Sequence, residues 1–404
     1  MTEKNRINKN EQKIFLLFLA CVFVVFQIAA NKINNLTPDS LNYILAAQQF
    51  SLDHGFGDAY IYWPPLYPVV LSLFSLTKMS VNAFASYTNV FLYGWLLLSL
   101  GIMAKSQFHS RKIAFFMLLM VLLSGPVEQI YKTTWSEALY LPLCVSTTYC
   151  WIQFLSGKNS QRNFLTAVIL LALALLTRHV GIALLAAMLF SLFYHTGRQL
   201  KEKLLCATGL VAAAIPYVFW LLRTQALSGF LTGPRTPVSN PDAVLQINRF
   251  GNTIAHWIFP HFYFNTSGLL LSGIMLTCLL AFFIYAHDRM PMQPGHENQA
   301  QAYPFCLISF LIVYTVAHSF LVLSSAYRFN LDPVNDRLLA PVFWSLALIT
   351  FFAIDLFWKH AQNRLRKTYL NGMRLVGASY FLFWLTGPNA INDVLLRALF
   401  LFNP

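Results

Sequence analysis

Charge is what this sequence has least of. Asp, Glu, Lys and Arg make up 11% of the 404 residues, and 15 of them are acidic, against roughly one quarter charged residues in a soluble domain. With 57% hydrophobic residues the chain reads as an all-α, polytopic membrane protein, since helices satisfy their own backbone in lipid. Cysteine is sparse too. Cys21, Cys144, Cys150, Cys206, Cys278 and Cys306 all lie in apolar segments, at spacings that suit neither a disulfide framework nor a metal site. No Gly-rich nucleotide loop, internal repeat or low-complexity segment is present. Acids this rare each need a reason to be where they are.

The net charge of +13 could suggest nucleic acid, but the basic residues fall in short clusters between apolar runs. That is where membrane proteins keep their cytoplasmic positive charge. Lys4, Arg6, Lys9 and Lys13 precede an apolar run from Ile14 to Ala30, which we read as an uncleaved anchor with its N-terminus in the cytoplasm. About 11 spans follow from hydropathy and parity, near 14–30, 82–104, 113–130, 137–155, 163–177, 179–195, 204–222, 266–286, 303–323, 337–358 and 372–387. This choice puts Lys105/Arg111/Lys112, Lys158/Arg162, Arg198/Lys201/Lys203, Arg289 and Lys359/Arg364/Arg366/Lys367 on the side of the N-terminus.

The remaining non-spanning chain is then external. The first external loop, 31–81, carries short juxtamembrane helices: one around Leu41 to Phe50, where Tyr43, Ala46, Ala47 and Phe50 repeat at helical spacing, and the apolar segment 64–77, too short to cross easily. A second external loop, 223–265, ends in an amphipathic stretch able to cover an external cavity. We expect one integral membrane unit made of an N-terminal module, 1–223, and a C-terminal module, 224–404. Between Asn163 and His195 the apolar run suits a hairpin of two short arms. Its tip, Thr177-Arg178-His179, would be held below the outer surface, where a cation needs a partner or a job.

Against this background Thr37-Pro38-Asp39-Ser40 stands out, together with Trp63-Pro64-Pro65-Leu66-Tyr67-Pro68. Thr37 and Pro38 make a helix start, so Asp39 is a first-turn acid favoured by the helix dipole. It is also a carboxylate at the membrane surface, able to take a proton from a hydroxyl. Glu137, behind Ser136, poses the same choice between a helix-start acid and a reactive one. Glu128 has Lys132 one turn on.

The order Pro-Asp-Ser-x-x-Tyr (Pro38 to Tyr43), Trp-Pro-Pro-Leu-Tyr-Pro, Thr134-Trp135-Ser136-Glu137, Leu176-Thr177-Arg178 and Asp336-Arg337-Leu338-Leu339-Ala340-Pro341 resembles the type C glycosyltransferases. It is most similar to the branch of protein O-mannosyltransferases and the lipid A aminoarabinose transferase. The likeness is carried mainly by residues 14–195. It implies an external cavity, a polyprenyl-phosphate-linked sugar as donor, a hydroxyl acceptor on lipid, glycan or protein, and no nucleotide or other cofactor. Asp39 then takes the family's acid role, as general base, and Glu137 matches its second acid. Arg178 and Arg337 are candidates for the phosphate, with His179 as a further donor, and Tyr43, Trp63 and Tyr67 as ring-stacking candidates. A metal is not expected, because the first loop lacks a close acidic pair. The modest length leans towards a bacterial inner membrane, with the site facing the periplasm. The rival expectations are a lipid-linked substrate transporter or flippase, which would show symmetric halves, and an inactive scaffold of the same fold.

Overall fold

The computed structural model describes residues 36–258, 299–329 and 333–360, apart from 59, 123, 158–159 and 196–197, with a few isolated helical positions between 270 and 278. The spans expected at 14–30, 266–286 and 372–387 lie outside the described residues, as does the tail. Within the described part the chain is an all-α polytopic membrane protein. Five helices are long and apolar enough to cross a membrane, six if one bent pair counts as a single span.

Helix α1 (Pro38–Asp53) begins where the sequence places it. Thr37 is the N-cap, its Oγ1 accepting from Ser40 N at 3.2 Å, and Pro38 occupies the first turn. Helix α2 (Leu66–Ser72), extended by a 3-10 turn to Leu76, is about 16 Å long at 1.5 Å per residue and folds against α1 and α3 (Val81–Gln107). The span expected at 113–130 is broken into α4 (Arg111–Leu122) and α5 (Gly125–Tyr131), set 56° apart. Gly125 and Pro126 explain the break, because proline donates no backbone hydrogen bond to the preceding turn and its ring clashes with that turn's carbonyl.

Helix α6 (Glu137–Leu155) runs over the residues expected of it and is the centre of the bundle. Fifteen of its residues are buried, and it packs on α3, α5, α7 (Ser160–Thr177), α8 (Ile182–His195), α12 (Gln299–Arg328) and α13 (Asp336–His360). The two arms of the expected hairpin, α7 and α8, diverge. Helix α7 lies chiefly on α6, and α8 lies chiefly on α12. The turn between them is tight enough that a Cβ on Gly181 would stand 3.0 Å from Leu175 Cα. Arg178 and His179 are thereby carried to the place where α6 and α12 meet.

Helices α9 (Leu200–Ala213) and α10 (Ile215–Ser228) form one apolar stretch with a turn at Ala214 before Pro216. Gly229, at φ +76°, ends it. A strap then leads to the amphipathic helix α11 (Ala243–Ile258), capped by Asp242, whose Oδ1 accepts from Leu245 N at 2.9 Å.

One polar side chain inside α3 fixes the approach to α6. Asn89 is buried. Its amide donates to the carbonyls of Tyr131 (3.2 Å) and Thr133 (2.9 Å) and its oxygen accepts from the Tyr67 hydroxyl (3.3 Å). Asn89→Leu removes all three hydrogen bonds, each worth about 0.5–1.5 kcal/mol net. A clear fall in thermal unfolding temperature is expected in detergent; an unchanged transition would remove Asn89 from this role.

Candidate active site

Glu137 opens α6 at the end of the bundle where α1, the α7–α8 turn and the start of α13 converge. Its side chain is 0% exposed. A buried carboxylate costs several kcal/mol unless it is paired, and this one is paired twice through a single oxygen. Oε1 accepts from Arg178 Nη1 at 2.6 Å and from Arg337 Nε at 2.8 Å. Ser136 lies beside it, its Oγ accepting from Arg178 Nη1 at 3.0 Å and from the Tyr43 hydroxyl at 2.9 Å.

One carboxylate cannot neutralise two guanidiniums, and the second acid comes from α1. Arg337 Nη1 reaches Asp39 Oδ2 at 2.6 Å. Arg337 also lies over the Trp135 ring, 4.4 Å from its centroid, a cation–π contact. The indole nitrogen of the same Trp135 donates to Thr37 Oγ1 at 2.9 Å. One tryptophan thus seats the arginine and pins the helix start that aims the aspartate.

Asp39, Trp63, Arg178, His179 and Arg337 all line one cavity of about 450 Å³. Leu321, Val322 and Ala326 of α12, with Ser325 among them, and Leu338 of α13 add a largely apolar share of the lining. Five of the eight residues singled out in the sequence therefore meet at one cavity. Glu137 sits behind that cavity, under the two arginines. Tyr43 and Tyr67 are fully buried and pack edge-on at 5.2 Å, with Trp63 5.5 Å from Tyr43. They stand behind the wall that Trp63 forms. The inward stripe of α1, which includes Tyr43 and Ala47, faces the bundle, whereas Asp39 lies one turn earlier on the cavity side. Burial pushes the Tyr43 phenol well above its usual range, so it stays a hydrogen-bond donor to Ser136.

His179 has both ring nitrogens engaged within the protein, Nδ1 with the Tyr217 hydroxyl at 2.9 Å and Nε2 with the Tyr62 carbonyl at 3.1 Å. It holds the loop that carries Tyr62 and Trp63. Asp336, although adjacent to Arg337, takes no part in this ion network: its Oδ1 accepts from Trp257 Nε1 at 2.7 Å. Glu128 pairs with Lys132. Among the described residues no group of three His, Cys, Asp or Glu side chains could hold a metal ion, and both site acids face arginines.

The cavity also contains a cation that sequence reasoning missed. Arg235 lines it from the strap, and its buried Nε has no hydrogen-bond partner. Burial disfavours its charged form. No periodicity marks this residue. The signal was the rigid run Gly233-Pro234-Arg235-Thr236-Pro237: Gly233, at φ +79°, presses on the Tyr62 ring, where a Cβ would come within 2.8 Å. The strap is tied to the end of α12 by Val238 N donating to the Arg328 carbonyl at 3.0 Å.

No protein-family model matches the sequence, and no curated protein sequence does. Solved structures do. ArnT from Cupriavidus metallidurans, a lipid A aminoarabinose transferase, superposes in its apo state with a TM-score of 0.57 over 93% of this chain, at 16% identity. The same protein bound to undecaprenyl phosphate gives 0.56 over 92%, again at 16% identity. This chain has the ArnT fold. It spans 65% and 64% of those two ArnT chains.

Removing Glu137 leaves the half-buried Arg178 without its carboxylate and takes from Arg337 one of its two. Breaking a buried pair costs about 3–5 kcal/mol. Glu137→Ala should therefore lower the thermal unfolding temperature far more than Asp39→Ala, whose side chain is 25% exposed. Equal effects from the two variants would remove Glu137 as the organising charge.

Proposed function

We propose that this protein is an inverting membrane glycosyltransferase, which moves a sugar from a polyprenyl-phosphate donor to an acceptor hydroxyl on the external, periplasmic side of a bacterial inner membrane. The observation that carries this reading is the convergence of Asp39 with three arginines on one cavity that apolar residues of α12 also line. Fixed cations beside apolar residues suit a lipid phosphate, and a carboxylate beside them suits a hydroxyl that must lose its proton.

In this reading the acceptor oxygen attacks the anomeric carbon from the face opposite the phosphate, and its proton passes to Asp39. The bond from the anomeric carbon to the phosphate oxygen breaks, and its electron pair stays on that oxygen. Negative charge grows on the phosphate as the bond lengthens, and preorganised donors aimed at growing charge are the largest catalytic term available to such a site. Arg178, Arg337 and Arg235 supply them. The fold shared with ArnT, one structure of which is bound to undecaprenyl phosphate, supports a lipid-linked donor.

Charge supports the external placement. Helices α3, α6 and α13 start at the cavity end, so their far ends carry Lys105, Arg111 and Lys112 around the α3–α4 turn, and Arg162, Arg198, Lys201 and Lys203 around the starts of α7 and α9. Positive loops face the cytoplasm, which supports a cavity turned outward.

The reading is tested by release of polyprenyl phosphate from polyprenyl-phosphate sugars by the detergent-purified protein. A general base contributes about 10²–10⁴-fold, and Asp39→Asn should lose turnover by that factor while its melting temperature falls far less than that of Glu137→Ala. Release that survives the substitution would move the base elsewhere; no release from any donor, with acceptor glycolipid present, would sink the enzyme reading. Arg235→Ala, outside the Glu137 network, should raise KM for the donor about tenfold, as expected for one charged hydrogen bond, and leave the melting temperature in place. An unaltered KM would exclude Arg235 from the donor site.

A further inference from the structure

Arg337 is shared between two carboxylates of unequal standing. Its Nε is held by Glu137 at 2.8 Å and its face by the Trp135 ring, while its Nη1 reaches Asp39 at 2.6 Å. Both Asp39 and Arg337 line the cavity, and Glu137 does not. A third anion entering the cavity therefore meets Arg337 on the edge that now holds Asp39. Of the two carboxylates only Asp39 can be let go. Its side chain is 25% exposed, so water can take the place of the guanidinium, whereas Glu137 is 0% exposed and would be stranded as a buried charge.

We propose, resting on the donor reading above, that the Arg337–Asp39 ion pair is a latch opened by the donor phosphate, so that donor binding releases Asp39 from the guanidinium. In the closed state Oδ2 of Asp39 is engaged by the Arg337 guanidinium at 2.6 Å. A phosphate in the cavity, drawn also by Arg178 and Arg235, competes for Nη1. The inner edge of Arg337 stays anchored on Glu137 and Trp135, and the outer edge turns to the phosphate. Asp39 is uncovered at the moment a sugar is in place to be attacked. No bond to carbon changes in this step; one charged hydrogen bond is exchanged for another.

The exchange makes the base a competitor of the substrate, and this has an unusual signature. Removing the charge of Asp39, which destroys turnover, should improve donor-phosphate binding. The experiment is a titration of full-length protein in detergent with undecaprenyl phosphate, wild type beside Asp39→Asn. The variant should bind about tenfold more tightly, the scale of one charged hydrogen bond no longer contested. A merely through-space effect is separated in two ways. Contact competition persists from about 0.1 M to about 1 M salt, whereas long-range attraction is screened as the Debye length falls from about 10 Å to about 3 Å. In an Arg337→Ala background the gain should vanish, as a double-mutant cycle requires for a pairwise contact.

Affinity unchanged or weakened by Asp39→Asn, a gain that collapses at high salt, or a gain that persists without Arg337 would each overturn the latch while wild-type binding keeps the donor reading. Absence of binding by the wild-type protein would remove the donor reading and the latch with it. If Arg337→Ala does not fold, the salt series decides alone.

Discussion

A buried carboxylate with two arginines on one of its oxygens is the constraint around which the rest of this site is assembled. Glu137 could not remain ionised at the head of the most buried helix without cations, and those cations come from the α7–α8 turn and from the start of α13. Two cations on one anion leave positive charge in a region of low polarity, where each uncompensated charge costs several kcal/mol. The docking of α1 supplies the missing negative charge through Asp39. Charge balance thus draws together four segments that are distant in sequence, and the apolar packing of α6 against its neighbours keeps the balance point dry on one side and open on the other.

The loop between α1 and α2 is held to this centre by polar contacts to its backbone. Arg223 donates to the carbonyls of Phe56, Gly57 and Tyr60 at 3.0–3.2 Å, and His179 engages the carbonyl of Tyr62. A loop with few periodic apolar residues cannot be located by burial alone, and backbone carbonyls facing a fixed guanidinium give it a definite position. Trp63 then forms a wall of the cavity because Tyr43 and Tyr67 fill the space behind it.

How far the sequence reveals all this depends on the range of the interaction involved. Helix α6 was legible to the residue, since Ser136 and Glu137 mark its start and an apolar run of spanning length follows. The Thr37-Pro38-Asp39 start of α1 was legible for the same local reason. The break between α4 and α5 was visible as Gly125-Pro126, although its depth was not. Asp39, Arg178 and Arg337 could be picked out as charges too costly to be idle, but nothing local says that Glu137 would bind both arginines. Tyr43 and Tyr67 illustrate the opposite error. Aromatics near a membrane surface look alike in sequence whether they face a cavity or back it, and only packing separates the two. Arg235 escaped because its position follows from the strap's attachment to α12 and from Gly233 against Tyr62, both contacts between remote segments.

The neighbours Asp336 and Arg337 show how one helix start serves two purposes. They open α13 side by side and face different surroundings. Asp336 turns to Trp257 on the amphipathic helix α11, and Arg337 turns inward to Glu137 and Asp39. Successive residues on a helix point about 100° apart, so adjacent charges of opposite sign need not neutralise one another. Here each has its own role, one fastening the amphipathic helix α11 to the bundle and the other completing the ion network. The separation matters for the site. If Asp336 closed on its neighbour, Arg337 would have less reason to reach α1, and the cavity would lose the contact that sets Asp39 in place. The hydrogen bond to Trp257 therefore acts on the site indirectly, by keeping one acid away from an arginine that two others share.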